Sequence, residues 1–523
     1  MADKKQKWFA VYPYVDLQDI TTDPKTNQKK KTKIKRLLFG DYLEPYYEND
    51  DFKTEKVGKV EYVKVYCRNK IGYIKREEMT TERPLEVNFI DVGQGDGCHI
   101  VTPDDKHFLV DAGKGDNMYR FLRWRFCLSK PKNKVPGFTV VITHSDEDHY
   151  KGFWTIFDKA KPKEKPKSKK KGEQQEEQKE DTPQIKINKI YHNGMIEGAG
   201  KPASTLGTLV SKDDQYYITD LCDTNDDYKR RLEELKDEKI TAGPYLNMLQ
   251  KTDAPKVAVR AGTDENPVYI YNKNGMTMEI LGPVADEIDG KPALRVFDGL
   301  SSSDKTKNGH SVIIKLTIGH LRLLLGGDLN MDAEYHLMQH YAQKDVKALR
   351  GELAKTNLKP TEREAKEAEM AAAIAKVGKY FGVDIAKSCH HGSDEFTSEF
   401  LQATNPIATV ISSGDDESYC HPRPDTLGTI GKYSRSKRPM IFSTELARSG
   451  KEFLKADELE LSAQKKNERV VTVYGMINVR TDGERVIFAQ KLEKKSQSGE
   501  TWDIHKMEWN EKLNDFELKG FKE

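Results

Sequence analysis

The sequence predicts an α/β protein in which a layered domain of strands and helices lies between two β-rich regions. From about residue 85, apolar strands that end in Gly-rich turns alternate with segments of helical spacing. The predicted strands are "LEVNFIDVGQGDGCHIVTP", "KHFLVDAG" and "GFTVVITHSDEDH", and the predicted helix is "MYRFLRWRFCL". Strands that alternate with helices indicate layers in which helices cover a sheet.

Residues 1–82 are predicted to form a small β module. The segments "WFAVYPYVD", "IKRLLFGDYLEPYY" and "VEYVKVYCRN" alternate apolar and polar residues and are broken by Gly, Asn and Asp, as is typical of a small antiparallel barrel. The closing segment "NKIGYIKREEM" resembles the last strands of bacterial SH3-like domains, which implies a protein partner for this module. The basic run 29–36 is expected to be a solvated hairpin, with contact to an anionic partner as the alternative.

Residues 83–435 are predicted to form the α/β domain, and two insertions interrupt it. The stretch 159–184 is a low-complexity segment that we expect to be disordered, because it has too little apolar surface to offset the entropy of ordering it. The second insertion, 200–255, is expected to be helical. Residues 436–523 are predicted to be a β-rich C-terminal extension with a hairpin around Asp482-Gly483.

The composition argues against several classes of protein. Lys plus Arg (86) nearly balances Asp plus Glu (84), so the total charge favours no nucleic-acid partner, although a local basic patch stays open. The sequence has no apolar run near the ~20 residues of a membrane helix, and its first residues lack the apolar core of a secretory signal. The six cysteines form no CxxC pair, which favours free thiols. We therefore expect a cytoplasmic protein without a membrane segment.

The stretch "VITHSDEDHYKG" concentrates charge directly after a predicted buried strand. His144, Asp146, Asp148 and His149 form the pattern H-x-D-x-D-H, and imidazole and carboxylate groups are ligands for Zn²⁺ and Mn²⁺. Four ligands in six residues exceed what one tetrahedral metal easily takes from a single loop, which predicts two adjacent metals. The alternative is a charged surface loop, but such a loop would place carboxylates side by side after a buried strand with no cation in the local sequence.

Other polar residues also follow predicted strands. Asp111 ends "FLVDAG", Asp328 ends "LLLGGD", and His390 and His391 lie in "CHHGS". A single aspartate at a strand end is usually a helix cap. Together, at the tips of successive strands, these residues are expected to converge on one edge of the sheet with the H-x-D-x-D-H loop.

The motifs "DVGQGD", "LVDAG", "THSDEDH", "NGHS", "LLLGGD", "CHHGS" and "YCHPRP", in this order, resemble the metallo-β-lactamase fold. More narrowly, they resemble the branch that contains the C-terminal domain of ComEC-type DNA-uptake proteins, over roughly residues 85–430. The resemblance implies an αββα sandwich. The usual H-x-H-x-D-H pattern becomes H-x-D-x-D-H here, a replacement typical of this branch, which also resembles bacterial phosphorylcholine esterases.

The resemblance implies a ligand set for two divalent metal ions, Zn²⁺ or Mn²⁺. His144 and Asp146 would bind the first metal, and Asp148 and His149 the second. Asp328 would bridge both metals. His391 would complete the second site while His390 faces the substrate, although the reverse assignment of these two histidines stays open.

Further residues have expected roles around these ligands. The "NGHS" segment offers Asn308 and Ser311, which the branch keeps near the reaction, whereas His310 is not the expected ligand. His421 is expected to contact substrate or transfer a proton, with a capped loop histidine as the alternative. The supporting residues, which would orient ligands or let the backbone approach the metals, are Asp91, Gln94, Asp96 and Asp111.

The resemblance implies a dinuclear metal-dependent phosphodiesterase, with nucleic acid or a small phosphodiester as substrate. A metal-bridging hydroxide would attack phosphorus, and the residues expected to serve this step are Asp148, His390 and His421. A nuclease with a role in bacterial defence is the leading expectation, in which the basic segments 29–36 and 161–171 would hold DNA or RNA. The alternatives are hydrolysis of a small-molecule ester, amide or nucleotide signal, and a non-catalytic regulatory or scaffold module.

Overall fold

The computed structural model describes most of the chain. The described residues are 6–128, 135–160, 185–198, 200, 202–237, 243–414, 419–445, 450–455, 469–492, 496 and 500–520. The segment predicted to be disordered, 159–184, lies outside them except for its first two residues, which end a helix. The basic run 161–171 lies outside them as well. Among the described residues, no helix combines the length and the apolarity that a membrane crossing requires.

The N-terminal part folds into a module of short strands. These are β1 (Trp8–Ala10), β2 (Tyr14–Thr22), β3 (Lys29–Leu38), β4 (Tyr42–Pro45), β5 (Tyr47–Glu48), β6 (Asp51–Phe52), β7 (Thr54–Val57), β8 (Val60–Cys67), β9 (Lys70–Lys75) and β10 (Met79–Thr80). Seven strands form an antiparallel sheet in the order β10-β1-β4-β8-β9-β2-β3, and β7 pairs with β8. The basic run 29–36 lies in β3, where Lys29–Lys33 is exposed.

Strands then alternate with helices as far as residue 258. The elements are β11 (Leu85–Ile90), β12 (Gly97–Val101), β13 (His107–Ala112), α1 (Asn117–Phe126), β14 (Gly137–Val141), α2 (Glu147–Ala160), β15 (Lys186–His192), β16 (Thr208–Lys212), β17 (Gln215–Thr219), α3 (Asn225–Asp237), α4 (Pro244–Leu249) and β18 (Lys256–Ala258). The helical prediction for 200–255 was incomplete, because β16 and β17 form a hairpin there. At its turn, Asp213 and Asp214 have φ of 50° and 58°, the left-handed geometry of a two-residue hairpin turn.

The rest of the chain begins with strands and continues with a run of helices. Its elements are β19 (Tyr269–Lys273), β20 (Met276–Gly282), β21 (Asp286–Ile288), β22 (Lys291–Arg295), α5 (Asp304–Gly309), β23 (Ile313–Ile318), β24 (Leu321–Leu325), α6 (Met331–Ala342), α7 (Val346–Leu353), α8 (Pro360–Phe381), β25 (Ile385–Lys387), α9 (Ser398–Thr404), β26 (Ala408–Ile411), α10 (Pro424–Tyr433), β27 (Met440–Ser443), β28 (Gly450–Lys455), β29 (Arg469–Tyr474), β30 (Met476–Thr481), β31 (Arg485–Lys491), β32 (Trp502–Asn510) and β33 (Asp515–Lys519). Three 3₁₀ turns complete the described elements: Arg76–Glu78, Ala203–Leu206 and Cys389–Gly392. The predicted mixture of helices and strands is confirmed.

Two large sheets organise the molecule. The first sheet has the order β18-β15-β14-β13-β12-β11-β30-β31-β32-β33, and the second has the order β19-β20-β23-β24-β25-β26-β27. The strands β13, β14, β15 and β18 run parallel to one another, as do β24, β25, β26 and β27. Parallel strands end at the same edge of a sheet, so residues that follow them lie close together.

The two sheets share one apolar core, and helices cover the outer face of each. Phe89 and Val110 of the first sheet pack with Ile314 and Leu323 of the second. The other face of the first sheet packs against α1, α2, α3 and α4, and the other face of the second against α6, α7, α8 and α9. Because strands such as β13 are covered on both faces, they appear in the sequence as continuous apolar runs.

The C-terminal strands continue the first sheet. β30 pairs with β11 along its length, with Val479 opposite Val87, and β31, β32 and β33 follow in order. The predicted boundary between the α/β domain and the C-terminal extension, at residue 435, therefore does not coincide with an edge of the sheet. The alternating apolar residues of β30 and β31, such as Ile477, Val479 and Phe488, are buried in the core between the two sheets, which is why these strands require the rest of the domain.

Candidate metal centre

The predicted strand-end residues meet at one edge of the two sheets. Asp111 lies at the end of β13, and His144 follows the neighbouring parallel strand β14. Asp328 follows β24, and His391 follows β25, the next parallel strand of the second sheet. Strand direction thus brings residues from distant parts of the chain into one cluster, with each sheet supplying half of it.

The Gly-rich turn between β11 and β12 packs against the loop that carries the acidic residues. The backbone N–H of Asp96 donates to the carbonyl oxygen of Asp148 (3.2 Å). Gly95 has φ of 102°, and a Cβ added there would overlap the same carbonyl. Only glycine allows both this conformation and this approach, so the turn holds the start of α2 against the sheet.

Three ligand-type atoms converge at the centre of the cluster. His149 Nε2 lies 3.1 Å from Asp328 Oδ2 and 3.3 Å from His391 Nε2. His391 Nε2 lies 3.0 Å from the same Asp328 oxygen. Asp148 flanks them, with one carboxylate oxygen 3.6 Å from His391 Nε2 and the other 3.9 Å from His149 Nε2. Asp148, His149 and His391 each offer a ligand atom within 4.8 Å of the others, so these three can bind one small cation.

His144 lies beside this group and is held from behind. Its Nδ1 is 3.1 Å from Thr143 Oγ1 and 3.3 Å from Ser311 Oγ. The other ring nitrogen faces inward, and His144, His149 and Asp328 each offer a ligand atom within 4.8 Å of the others. Ser311 also accepts a hydrogen bond from the backbone N–H of Asp328 (3.0 Å), so it positions two members of the cluster and does not point at a substrate.

Asp111 lies behind His149 and is placed to orient it. Its Oδ2 is 2.8 Å from His149 Nδ1 and accepts from the Thr143 hydroxyl (2.7 Å), while its Oδ1 accepts from the Thr143 backbone N–H (2.8 Å). Burial raises the pKa of the Asp111 carboxyl, although His149 opposes the change. A carboxylate that binds one ring nitrogen leaves the other ring nitrogen free to face a metal.

Asp96 and Lys387 form a buried ion pair on the other side of the cluster. Lys387 Nζ also donates to the carbonyl oxygen of Gly327 (2.9 Å) and lies 3.7 Å from Asp328 Oδ1. Asp96 Oδ1 is 3.2 Å from His391 Nδ1, which is also 3.0 Å from the Ser412 carbonyl oxygen. Asp96 therefore lies beside the outer ring nitrogen of His391, as Asp111 does for His149, and it also belongs to two of the His/Asp groups that could hold a metal.

Asp146 differs from its prediction as a ligand of the first metal. Its Oδ1 forms an ion pair with Lys307 Nζ at 2.6 Å. Its Oδ2 accepts a hydrogen bond from Asn308 (2.8 Å) when that amide is oriented to satisfy its neighbours, and it lies 3.8 Å from His144 Nε2. Among the described residues, Asp146 belongs to none of the His/Asp groups that could hold a metal.

The pKa directions reflect the concentration of charge. Burial lowers the pKa of His149 and of His391, but Asp328 together with a second carboxylate, Asp111 at His149 and Asp96 at His391, outweighs it and raises both pKa values well above the ordinary value. Burial raises the pKa of Asp328, and the two imidazoles outweigh it and hold the value well below the ordinary one. In contrast, burial and the neighbouring His149 lower the pKa of His144. The cluster thus favours carboxylate anions that face a positive charge.

His390 and His421 line one wall of the cluster. His390 and His391 have φ of 46° and 53°, a left-handed conformation that is costly for residues with a side chain and directs both rings into the site. His390 Nδ1 is buried and makes no hydrogen bond to the described residues. The ring of His421 lies 5.8 Å from that of His390 and 6.4 Å from that of His391, and the exposed Tyr419 stacks on it.

Three residues of the same motifs make their contacts elsewhere. Asp91 Oδ1 accepts from the Gly93 backbone N–H (3.1 Å), which shapes the Gly-rich turn. Gln94 Oε1 accepts from Lys114 (3.1 Å). His310 Nε2 lies 2.7 Å from the Arg295 carbonyl oxygen, and its ring stacks on that of Phe297. His310 is therefore a packing residue and faces away from the ligand atoms.

The donor set fits a divalent metal ion. Asp328 Oδ1 is buried and accepts no hydrogen bond from the described residues, an arrangement that costs free energy unless a cation or another donor binds there. Imidazole and carboxylate groups in this number suit Zn²⁺ or Mn²⁺. The sequence reasoning missed Lys307 and the carbonyl of Ser412, because neither lies in a motif and both reach the cluster only through tertiary packing.

No protein-family model matches this chain, and no curated protein matches it either. The cluster and the order of its motifs are the features that point to a function.

Proposed function

We propose that the chain is a metal-dependent phosphodiesterase built on a metallo-β-lactamase sandwich. The observation that carries the proposal is the convergence of His149 Nε2, Asp328 Oδ2 and His391 Nε2 within 3.3 Å of one another. Two paired sheets with helices on both outer faces, and a cluster at the ends of their parallel strands, support the fold assignment. The order of the seven motifs supports it independently.

The residues that would hold a metal ion are those whose ligand atoms face the centre of the cluster. They are His144, Asp148, His149, Asp328 and His391. A divalent ion bound there supplies Lewis-acid activation of water and of a phosphoryl oxygen. The number of two ions stays a prediction from the sequence.

The chain's own residues hold this ligand set in place. Asp111 fixes the ring of His149, Ser311 supports His144 and the backbone of Asp328, and the Ser412 carbonyl supports His391. Because these partners are buried, the ligand atoms need little rearrangement when a cation binds. Such preorganisation lowers the free-energy barrier of the reaction.

His390 and His421 are suited to act on the substrate oxygens. His390 Nδ1 has no hydrogen bond to the described residues, so it can bind a phosphoryl or leaving-group oxygen. His421 lies next to it, beside the exposed Tyr419. These two imidazoles can hold or donate a proton at the leaving oxygen, whereas Asn308 and Ser311 bind neighbouring protein groups and serve positioning.

Phosphodiesters are the proposed substrates because of the motif order, and nucleic acid is the leading class. The basic strand β3 gives this class only partial support. Lys29 pairs with Glu55, and Lys33 pairs with Asp16 (3.2 Å) and Glu500 (3.0 Å), so part of its charge is neutralised within the molecule. A cytoplasmic location, a defence role and a protein partner for the N-terminal module also stay proposals.

The first test is metal content and diester cleavage in wild type, Asp328→Asn and Asp298→Asn. Asp298 is a matched control because its side chain is 61% exposed. Each protein is loaded with Mn²⁺ or Zn²⁺, its metal is counted by mass spectrometry, and cleavage of single-stranded DNA, duplex DNA, RNA and bis-p-nitrophenyl phosphate is measured. We expect Asp328→Asn to lose metal and at least about 10³-fold of the activity, since metal activation contributes several kcal/mol.

The outcomes separate the candidate functions. Metal binding together with cleavage of any diester supports the proposal, and the ranking of substrates assigns the class. Metal binding without diester cleavage would assign the site to a small-molecule ester, amide or nucleotide. A wild type that binds no metal would leave a regulatory or scaffold module.

A further inference from the structure

We infer that Lys307 supplies the positive charge beside Asp146, where the two-metal pattern expects the first metal, so that the centre holds one divalent ion. The inference deepens the proposed function and rests on it. It concerns how many metals the site takes and which residue replaces the missing one.

Both oxygens of the Asp146 carboxylate already have protein donors. Lys307 Nζ lies 2.6 Å from Oδ1, and the Asn308 side-chain amide, turned so that its nitrogen faces Asp146, donates to Oδ2 (2.8 Å). A metal bound through either oxygen would have to share that oxygen with one of these donors. Adjacent residues of the short helix α5 therefore engage the carboxylate on both sides.

Lys307 is held in this position by more than Asp146. Only 7% of the residue is exposed, and its ammonium group lies 3.4 Å from Glu197 and 3.4 Å from Asp304. A buried ammonium surrounded by three carboxylates is strongly retained, because its removal would leave those carboxylates without a counter-charge. A metal ion at the same place would also meet the repulsion of the ammonium group.

The remaining ligand atoms form overlapping groups around His149 and His391. Every His/Asp group of the described residues that could hold a metal contains His149 or His391, and none contains Asp146. His144, the other expected ligand of the first metal, joins His149 and Asp328 in one of these groups. The residues of the first site are thus divided: His144 turns toward the shared centre, and Asp146 pairs with Lys307.

The test counts metals without depending on activity. Wild type, Lys307→Met and the control Lys305→Met are dialysed against Mn²⁺, and the bound metal per chain is measured by mass spectrometry. Lys305 lies on the same helix and its side chain is 39% exposed. We expect one ion in wild type and in Lys305→Met, and two in Lys307→Met, because loss of the ammonium frees Asp146.

Electron paramagnetic resonance of the same samples gives a second measurement. We expect the six-line signal of an isolated Mn²⁺ in wild type and the broadened signal of a coupled pair in Lys307→Met. Two ions in wild type would overturn the inference, as would a count of one in a folded Lys307→Met protein.

A further variant covers the case in which Lys307→Met does not fold. Asp146→Asn keeps one ion if Asp146 serves only Lys307, whereas a fall from two ions to one would show that Asp146 is a ligand and overturn the inference. Failure of the proposed function has a different signature. Wild type that binds no metal defeats both proposals, and wild type that binds two ions and cleaves diesters defeats only the role of Lys307.

Discussion

Two buried groups of charged side chains, one structural and one in the candidate metal centre, differ in how their carboxylates are neutralised. The first, the arginine cluster, consists of Asp41, Arg68, Glu86, Arg125 and Arg480 and joins the N-terminal module to strands β11 and β30. Asp41 accepts hydrogen bonds from Arg68 (2.7 and 2.9 Å) and from Arg480 (2.7 Å), and Arg125 donates to Glu86 (2.7 Å). Its two carboxylates meet three guanidinium groups.

The candidate metal centre is as deeply buried, but its carboxylates outnumber its permanent cations. Asp96, Asp111 and Asp328 are all buried, and Lys387 lies near Asp96 and Asp328, whereas Asp111 faces His149. Histidines supply the other contacts. One oxygen of Asp328 accepts no hydrogen bond from the described residues.

The difference shows how buried charge separates a structural network from a ligand site. The arginine guanidinium is permanently charged and binds carboxylates through a rigid pair of N–H groups, so the arginine cluster is complete without a ligand. An imidazole offers a neutral nitrogen lone pair that can bind a metal. Carboxylates grouped with imidazoles can therefore bind a metal ion, whereas carboxylates that face arginines are already neutralised.

Arg480→Met should separate the two groups most strongly. It leaves Asp41 without one of its partners in a buried position, so we expect the free energy of unfolding to fall by about 3–5 kcal/mol. The metal content of the folded protein should not change. Denaturant unfolding measures the free energy, and mass spectrometry measures the metal content. The control is Arg485→Met, because the Arg485 side chain is half-exposed, and we expect it to lower the free energy of unfolding by about 1 kcal/mol or less. Equal losses for both variants would remove the structural role of the arginine cluster.

Asp111→Asn should act on the metal centre. The amide no longer fixes His149 through a charged hydrogen bond, so we expect metal affinity to fall by about 10–100-fold. Competition with a fluorescent chelator measures this affinity. Asp116→Asn is a matched control, because that carboxylate is partly exposed and pairs with Arg120. Unchanged affinity in Asp111→Asn would mean that Asp111 serves the fold and not the metal.

A pH dependence should appear in the arginine cluster. Burial opposes ionisation of Asp41, but Arg68 and Arg480 outweigh it and lower its pKa from 3.8 to about 2. Because the folded pKa lies below the ordinary one, the stabilisation is complete above pH 3.8 and is lost as pH falls toward 2. By linkage it amounts to about 2 kcal/mol.

The measurement for this prediction is the difference in unfolding free energy between wild type and Asp41→Asn at several pH values. The difference should shrink by about 2 kcal/mol between pH 5 and pH 2. A difference that does not depend on pH would contradict the assigned role of the two arginines.

Local patterns predicted much of the fold but not how its strands associate. Apolar runs such as "FTVVI" indicate strands covered on both faces, and β14 is such a strand. The alternation in 476–491 also predicted a hairpin, and β30 and β31 pair as one. Nothing in that alternation indicates that β30 pairs with β11, because the partner of a strand is a non-local choice decided by the shared core.

At the candidate metal centre, too, sequence patterns did not predict the contacts between residues that are distant in the chain. The residue types of the H-x-D-x-D-H loop and the polar residues at strand ends predicted which side chains would meet, since parallel strands place their ends at one edge. The sequence could not show that Asp146 pairs with Lys307, or that the carbonyl of Ser412 supports His391, because these partners are far apart in the chain.

The sequence by itself determined most of the elements outside residues 200–255, the strand ends near the site and the chemistry of the side chains placed there. Only the tertiary structure decided which carboxylate faces imidazoles and which faces an ammonium group. The physical reason is that pattern and propensity act over a few neighbouring residues, whereas charge compensation in a buried site depends on distances between atoms that folding alone brings together. Asp328 and Asp146 are both predicted ligands in sequence, yet one meets His149 and His391 and the other meets Lys307.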